Sequence, residues 1–427
     1  MAERDWQQTD TLRIAVIGGG VAGITAAHCL SRRHRVTLLE RENRLGGHTY
    51  TVTVPDGPDA GLPVDMGFIV HNDRTYPLLN RLLDQLGVER ADTDMSFSYY
   101  NSMDGFVYAG TGLNGLFAKR SNLINPSFWN MLLDIYRFCR WAIRDLEEGR
   151  LDGVSLGEYA RMRRTGKVMM ERYLVPMASA IWSAPDAFIS HFPAETFVRF
   201  FQNHGLMTIS DRPQWRYIPG GSSTYVEAFT EVFPGEVRLN VPVAAVRRTE
   251  KGVAVQTGDT TETYDAVVLA THGDTTARLI SDQDEIERSA LGTWRYTDNR
   301  VVLHTDVSFL PPVRRGWASW NFFQGPEEPG HHVRVSYHMN RLQQLDATRE
   351  YIVTLNPSQE PAQDSIVHDV HFAHPQFSMG SLKSQRQLKE LNGRRATFYC
   401  GSYHGNGFHE DAVRSAVDVS RLFGIEL

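Results

Sequence analysis

The chain has 427 residues, enough for two domains or one large interrupted one, and its 41% hydrophobic and 22% charged residues match an ordinary folded protein. A formal net charge of −6 with no basic tail or stripe argues against nucleic acid as the main partner, because that binding neutralises phosphates with clustered Lys and Arg. Cys29, Cys139 and Cys400 stand far apart in no paired spacing, so neither a disulfide framework nor a zinc knuckle is expected, and a reducing compartment is.

The opening MAERDWQQTD is polar, unlike a signal peptide, and no apolar run reaches the length of a membrane span. A cytoplasmic protein is expected, at most one attached to the inner face of the membrane. Leu12 to Ile17 then reads as a buried parallel strand, and Val21 to Arg32 as the helix after it. Between them Gly18, Gly20 and Gly23 have the G-x-G-x-x-G spacing. Gly18 permits the tight turn, Gly20 lets the backbone approach a pyrophosphate, and Gly23 lets helix and strand pack closely. A second strand, Val36 to Leu39, ends at Glu40, an acid placed to accept hydrogen bonds from ribose hydroxyls. Strand, glycines, helix, strand and acid in that order predict dinucleotide binding.

Residues 76 to 204 carry many aromatics and no glycine fingerprint. Asn125-Pro126-Ser127 reads as a helix start with Ser127 as cap, and the helix runs to about Glu148. Phe128, Leu132, Ile135, Tyr136, Cys139, Ile143 and Leu146 recur on one face, and Trp129, Leu133, Phe138 and Trp141 widen it. A helix apolar over most of its circumference is expected in a core; the alternative is the wall of a lipid channel or a face touching a membrane. The stretch from Tyr159 to Lys167 is the most basic, and reads as solvated surface or as a contact for anionic phospholipid. His368, His371 and His374 fall on a predicted strand, Ile366 to His374, where three-residue steps alternate faces, so no metal site is predicted.

Later segments return to the same sheet. Val237 to Val246 holds two short strand-like stretches, Asp265 to Ala270 is an apolar strand closing in Thr271-His272-Gly273, and Thr397 to Gly401 is another strand. A last helix opens at Gly405 to Val413 and runs toward Leu422, its first-turn acids Glu410 and Asp411 complementing the helix dipole. There is no G-x-S-x-G elbow and no H-E-x-x-H.

Leu45-Gly46-Gly47-His48-Thr49 resembles the E-x(5)-GGR-T segment of the flavin amine-oxidase superfamily, with His48 in place of arginine, and Val64-Asp65-Met66-Gly67-Phe68 resembles its D-x-G turn. In order, LGGHT at 45–49, VDMGFIVHNDRTYP at 64–77, DMSFS at 94–98, NPSFW at 125–129, AIWSAP at 180–185, IPGGSSTYV at 218–226 and CGSYHGNGFHEDAV at 400–413 narrow the resemblance. They look like a family of bacterial NAD/FAD-binding or amine-oxidase-like flavoproteins, itself similar to the N-terminal flavin domain of plant cyclopropane fatty-acid synthases.

The resemblance implies an α/β protein with FAD as cofactor. Its fold would be a Rossmann-like FAD-binding domain assembled from separated segments plus an α+β substrate domain, in the p-hydroxybenzoate-hydroxylase-type topology. The implied segments are 1–75, 205–280 and 386–427 for FAD, with a helical part at 76–204 and a sheet part at 281–385 for substrate. Implied FAD contacts are Gly18, Gly20, Val21, Ala22, Gly23, Glu40 and Arg41, then Gly46, Gly47, His48 and Thr49, then Met66, Gly67, Phe68 and Ile69. Val243 would meet adenine; Ala270, Thr271 and Gly401 lie at the later strand ends; Phe408, His409, Glu410, Asp411, Ala412 and Val413 aim backbone N–H groups at the flavin N1–C2=O edge. His409, His404 and His272 are the candidate catalytic side chains, with His374, Trp182 and Tyr337 in the same pocket.

The implied activity is oxidation or desaturation of methylated or unsaturated fatty acyl groups, on phospholipid and in a cyclopropane or furan fatty-acid route, by hydride transfer to flavin N5. A cyclopropane-synthase-like methyltransferase is the implied partner. An amine or amino-acid oxidase is the alternative enzyme, and a FAD-binding partner subunit of a methyltransferase the alternative of another class.

Overall fold

A computed structural model describes residues 5–182, 189–208, 212–326 and 334–427, so Ser183 to Pro185 of the AIWSAP motif lie outside the described residues. Residues 13–17, 35–39, 236–238, 266–269 and 397–399 form a parallel sheet in the order 236–238, 35–39, 13–17, 266–269, 397–399. Its central strands 13–17 and 266–269 are near-continuous apolar runs because both faces are covered, unlike the edge strand Glu236–Arg238. Side chains alternate along each strand, so Ile14, Val16, Leu38 and Val268 enter one core while Ala15, Ile17, Leu39 and Val267 enter another. The first core is closed by the helices Val21–Leu30 and His409–Leu422. The second is closed by Val246, Val253 and Val255 of an antiparallel three-stranded layer and by Trp294.

A second, mixed sheet of residues 97–101, 106–109, 295–304, 320–324, 335–338, 352–355 and 366–376 has the order 366–376, 295–304, 352–355, 335–338, 320–324, 97–101, 106–109. Its Arg295–His304 and Ile366–Gln376 strands pair antiparallel along most of their length and carry the histidine-rich segment back to the LGGHT loop. On that strand His368 bonds Tyr50 at 2.9 Å and His374 bonds Asn299, whereas His371, on the opposite face, pairs with Asp298 at 2.7 Å. Helices between Pro126 and Asn203 pack on the 97–109 end of this sheet, burying Phe128, Phe138, Phe197 and Phe201 with Tyr99 and Tyr108.

The long helix runs from Pro126 to Glu147, and its cap is Asn125, whose side chain accepts from Ser127 N at 3.0 Å, not Ser127. Pro126 at the first helical position, where no intrahelical N–H bond is needed, explains the two-residue shift. The expectation of burial all round holds for only part of the helix. Phe128, Met131, Phe138 and Ala142 are buried, but Trp129, Leu133, Tyr136 and Trp141 are exposed. The basic 159–167 stretch is partly structural: Arg163 pairs with the buried Asp145, which also accepts from Tyr159 OH at 2.7 Å, and Lys167 pairs with Glu171.

Candidate active site

A cavity of about 1330 Å³ extends from the carboxyl ends of the first sheet to the second sheet and the helical layer. At two positions of its dinucleotide end the backbone leaves room for nothing but glycine. Gly18 has φ 106°, and a Cβ there would lie 2.7 Å from Ala270 O. A Cβ on Gly23 would lie 1.8 Å from Gly18 O, inside the contact that lets helix meet strand. Gly20 differs, since a Cβ there would meet nothing within 4 Å and would project into the cavity. Gly20 caps the Val21–Leu30 helix without a side-chain bond, leaving the free first-turn N–H groups and the positive dipole end toward that space.

Glu40, at the end of its strand, accepts from Gly19 N at 2.6 Å and from Glu42 N at 2.9 Å. Both carboxylate oxygens keep a lone pair for ribose hydroxyls. A Gly46 N to Gly19 O bond of 2.8 Å lays the LGGHT loop on the glycine turn. Arg44, which sequence reasoning passed over, ties that loop by donating to Leu45 O, Gly47 O and Thr49 O while its guanidinium lies over the Tyr50 ring. These residues fit a dinucleotide: open space at Gly20, unused helix N–H groups and an anchored acid.

Met66, Gly67, Phe68 and Ile69 line the next part of the cavity. They are positioned by Asp65 behind them, whose buried carboxylate receives Thr51 Oγ1 at 2.6 Å, Ser222 N and Oγ, and Gln343 Nε2. Burial pushes this carboxyl up to about 6, with those donors pulling the other way. Thr49 sits behind the wall, its Oγ1 between Tyr225 OH at 2.6 Å and His409 Nε2 at 3.1 Å. His409 stacks on Phe68 with 3.8 Å between ring centroids.

Several histidines meet here. His48 lies against Phe372, His374 and His272, with centroids 5.1, 5.3 and 5.8 Å apart, and His272 stacks on Tyr296 at 4.4 Å. Desolvation pushes all of them toward neutrality: His409 to about 3, His374 to about 4, His272 downward and His48 well below the usual range, the neighbouring imidazoles adding to the last. Neutral imidazoles can accept a proton or ligand a metal. Among the described residues, however, no three His, Cys, Asp or Glu side chains converge as a metal site.

His404, expected among the catalytic side chains, is placed elsewhere. It lies away from this cavity, in a small recess with Lys389, Asn392, Asp411 and Arg414, its ring against Tyr403. The chain turns it backward because residues 402–404 form a single tight turn before the last helix. Gly23, Thr49, Glu410, Asp411 and Val413 also stand behind the cavity wall. Glu410 accepts from Leu78 N and Leu79 N, capping the Pro77–Gln85 helix, and Asp411 accepts from Phe408 N. Tyr399 donates its hydroxyl to Glu287 in the core, away from the cavity that Tyr403 lines. The other expected cofactor residues, together with His272, His374, Trp182 and Tyr337, line it.

Beyond the Phe68–His409 stack the cavity continues between the second sheet and the helices. Phe97, Tyr173, Met177, Trp182, Phe200, Tyr337 and Phe408 form its wall, with Trp182 on Phe200 at 4.9 Å and Phe200 on Phe408 at 4.8 Å. Arg212 stands on this wall near Tyr173. Among the described residues the wall's carboxylates are elsewhere: Glu40 and Glu42 at the ribose end, and Asp298 in its pair with His371.

The family model described as flavin containing amine oxidoreductase matches residues 21–422. A putative flavin-containing monoamine oxidase, AofH, of Mycobacterium tuberculosis is 28% identical over 255 residues, 57% of this chain and 53% of that protein. A carotenoid phi-ring synthase of Streptomyces griseus is 28% identical over 329 residues, 72% of this chain and 60% of that protein. The chain thus spans only about half the length of the curated relatives it matches. Among solved structures, a CLA-producing fatty acid isomerase from P. acnes superposes with a TM-score of 0.69 at 18% identity, covering 96% of this chain and 99% of the other.

Proposed function

We propose, for a chain that belongs to the flavin-containing amine oxidoreductase family and is an FAD-dependent oxidoreductase, that its substrate is a methylated or unsaturated fatty acyl chain. The observation that carries this reading is the apolar, aromatic-walled lobe beyond the Phe68–His409 stack. A protonated amine seeks a carboxylate, and among the described residues this lobe presents Arg212 and no carboxylate, whereas an acyl chain gains from apolar surface removed from water, about 25 cal/mol per Å². The similarity in fold to a fatty acid isomerase is in keeping with such a substrate.

In this reading Gly18, Gly20 and Glu40 hold the adenosine and pyrophosphate side of FAD, and residues 46–49, 66–69 and the start of the last helix hold the flavin side. Bound FAD supplies an acceptor for a hydride and thereby allows a saturated carbon pair to lose two hydrogens. The proton also released needs a base, and His272 is our proposed acceptor: its ring is fixed on Tyr296, it lines the cavity, and burial keeps it neutral. Phe97, Met177, Trp182 and Phe200 would seat the acyl chain and exclude water. Arg212 would meet its carboxylate or phosphate. A cyclopropane-type methyltransferase that supplies methylated acyl chains is the proposed partner in the route.

Lipid analysis of cells with and without the gene tests the reading. Loss of the gene is expected to raise methylated or unsaturated acyl chains and remove their more oxidised products. Unchanged acyl profiles alongside accumulating amines would overturn it in favour of an amine oxidase.

A further inference from the structure

The Pro126–Glu147 helix keeps an apolar stripe in water. Trp129, Leu133 and Tyr136 follow at four- and three-residue steps, so they share one face, and each is 43–53% exposed. The turn before the helix adds Leu123 and Ile124, the latter 86% exposed, and Trp129 Nε1 donates to Leu123 O at 2.9 Å, locking turn and helix into one surface. Leu113, 76% exposed, joins through Arg120, which donates to Asn114 Oδ1 at 2.6 Å and Phe117 O at 3.1 Å. Single exposed leucines need no explanation, but a contiguous set with a polar rim marks a contact surface.

The rim is cationic. Arg137 and Arg140 stand four residues beyond Leu133 and Tyr136 on the same face, and Arg140 lies 5.8 Å from the Tyr136 ring. Lys119 donates to Asp104 O. None of Lys119, Arg120, Arg137 and Arg140 pairs with a carboxylate among the described residues, while Asp104 is taken by Arg172. On a chain of net charge −6 this is a local excess of positive charge around apolar tips. A second copy of the chain about a twofold axis would set these cations against each other. A nucleic acid would use the cations and leave Ile124, Leu113 and Leu133 in water. An anionic bilayer satisfies both, with Trp and Tyr at headgroup level and the cations at the phosphates.

We infer that this face docks the enzyme on the surface of an anionic phospholipid bilayer, with Leu113, Ile124 and Trp129 entering the headgroup layer. The inference holds whatever the substrate, since it concerns where the protein sits. Sedimentation of the FAD-loaded protein with vesicles of equal parts phosphatidylglycerol and phosphatidylcholine, against phosphatidylcholine alone, tests it. Binding to the anionic vesicles is expected, with a drop of about tenfold or more in Lys119→Gln/Arg120→Gln and in Leu113→Ser/Ile124→Ser, and release by high salt. Leu113, Arg120 and Ile124 are exposed and Lys119 is half-buried, and retained flavin absorbance reports intact folding. Protein that stays in the supernatant with anionic vesicles overturns the inference. So does binding that the variants leave unchanged, or a dimer in analytical ultracentrifugation that Leu113→Ser/Ile124→Ser dissociates in place of vesicle binding. Vesicle binding without oxidation of any acyl lipid would overturn only the substrate reading.

Discussion

The two ends of the cavity are built on different principles. The dinucleotide end is shaped by backbone: Gly18, Gly23 and Gly67 each sit where a Cβ would strike a carbonyl oxygen at 2.7, 1.8 and 2.0 Å, and free N–H groups face the ligand. The far end is shaped by side chains, such as Met177, Trp182 and Phe200, that fill space with no single required residue type. A backbone-made site tolerates almost no substitution and has one ligand class. A side-chain-made site can be resized, which is how one family accommodates differing substrates.

The contrast breaks most visibly at the glycines. Gly23→Val is expected to cost more than about 3 kcal/mol and yield protein without flavin, because neither helix nor strand can move away from a 1.8 Å clash. Gly20→Ala should instead keep the wild-type melting temperature and lose FAD affinity by about tenfold or more, since its Cβ meets only the ligand space. Flavin absorbance per mole of protein and thermal denaturation separate the two.

At the flavin-side wall, His272→Gln is expected to lower kcat about a hundredfold with FAD content unchanged, whereas His404→Gln, in its separate recess, should leave turnover intact. Steady-state kinetics decide between them. At the far end, Met177→Trp should reduce kcat/KM for long acyl chains by about tenfold and for short ones by less, measured on a chain-length series.

A further test lies in pH dependence. Asp65 is raised from the usual 3.8 to about 6, so its protonated form is favoured by folding. Its contribution is full below about pH 4 and is lost as pH rises through 6, up to about 3 kcal/mol. Denaturant midpoints between pH 4 and 7 should therefore show a falling component that Asp65→Asn removes.

This division also explains what could be read before the structure. Gly18, Gly20, Gly23 and Glu40 stand at intervals imposed by covalent geometry, so spacing alone announced the dinucleotide, and the His409 helix followed from its glycine-rich approach. The far wall left no such spacing: Phe97, Met177, Phe200 and Tyr337 come from distant segments and look like any core residues. His404 resembled His409 in one dimension, five residues away, and only the tight turn at 402–404 sends it to the other side. Burial of the long helix was overestimated because its pattern shows how much of the surface is apolar, not how much its neighbours cover. Arg44 carried no motif at all, since its partners are backbone carbonyls.

The central claim, that the apolar lobe receives a fatty acyl chain, is tested most directly by anaerobic mixing of the FAD-loaded protein with phospholipids bearing methylated or unsaturated acyl chains, followed by flavin absorbance. Bleaching of the oxidised flavin band by the acyl lipid, with none on addition of polyamines or amino acids, is the predicted result. A band that polyamines or amino acids bleach and no acyl lipid changes would contradict it.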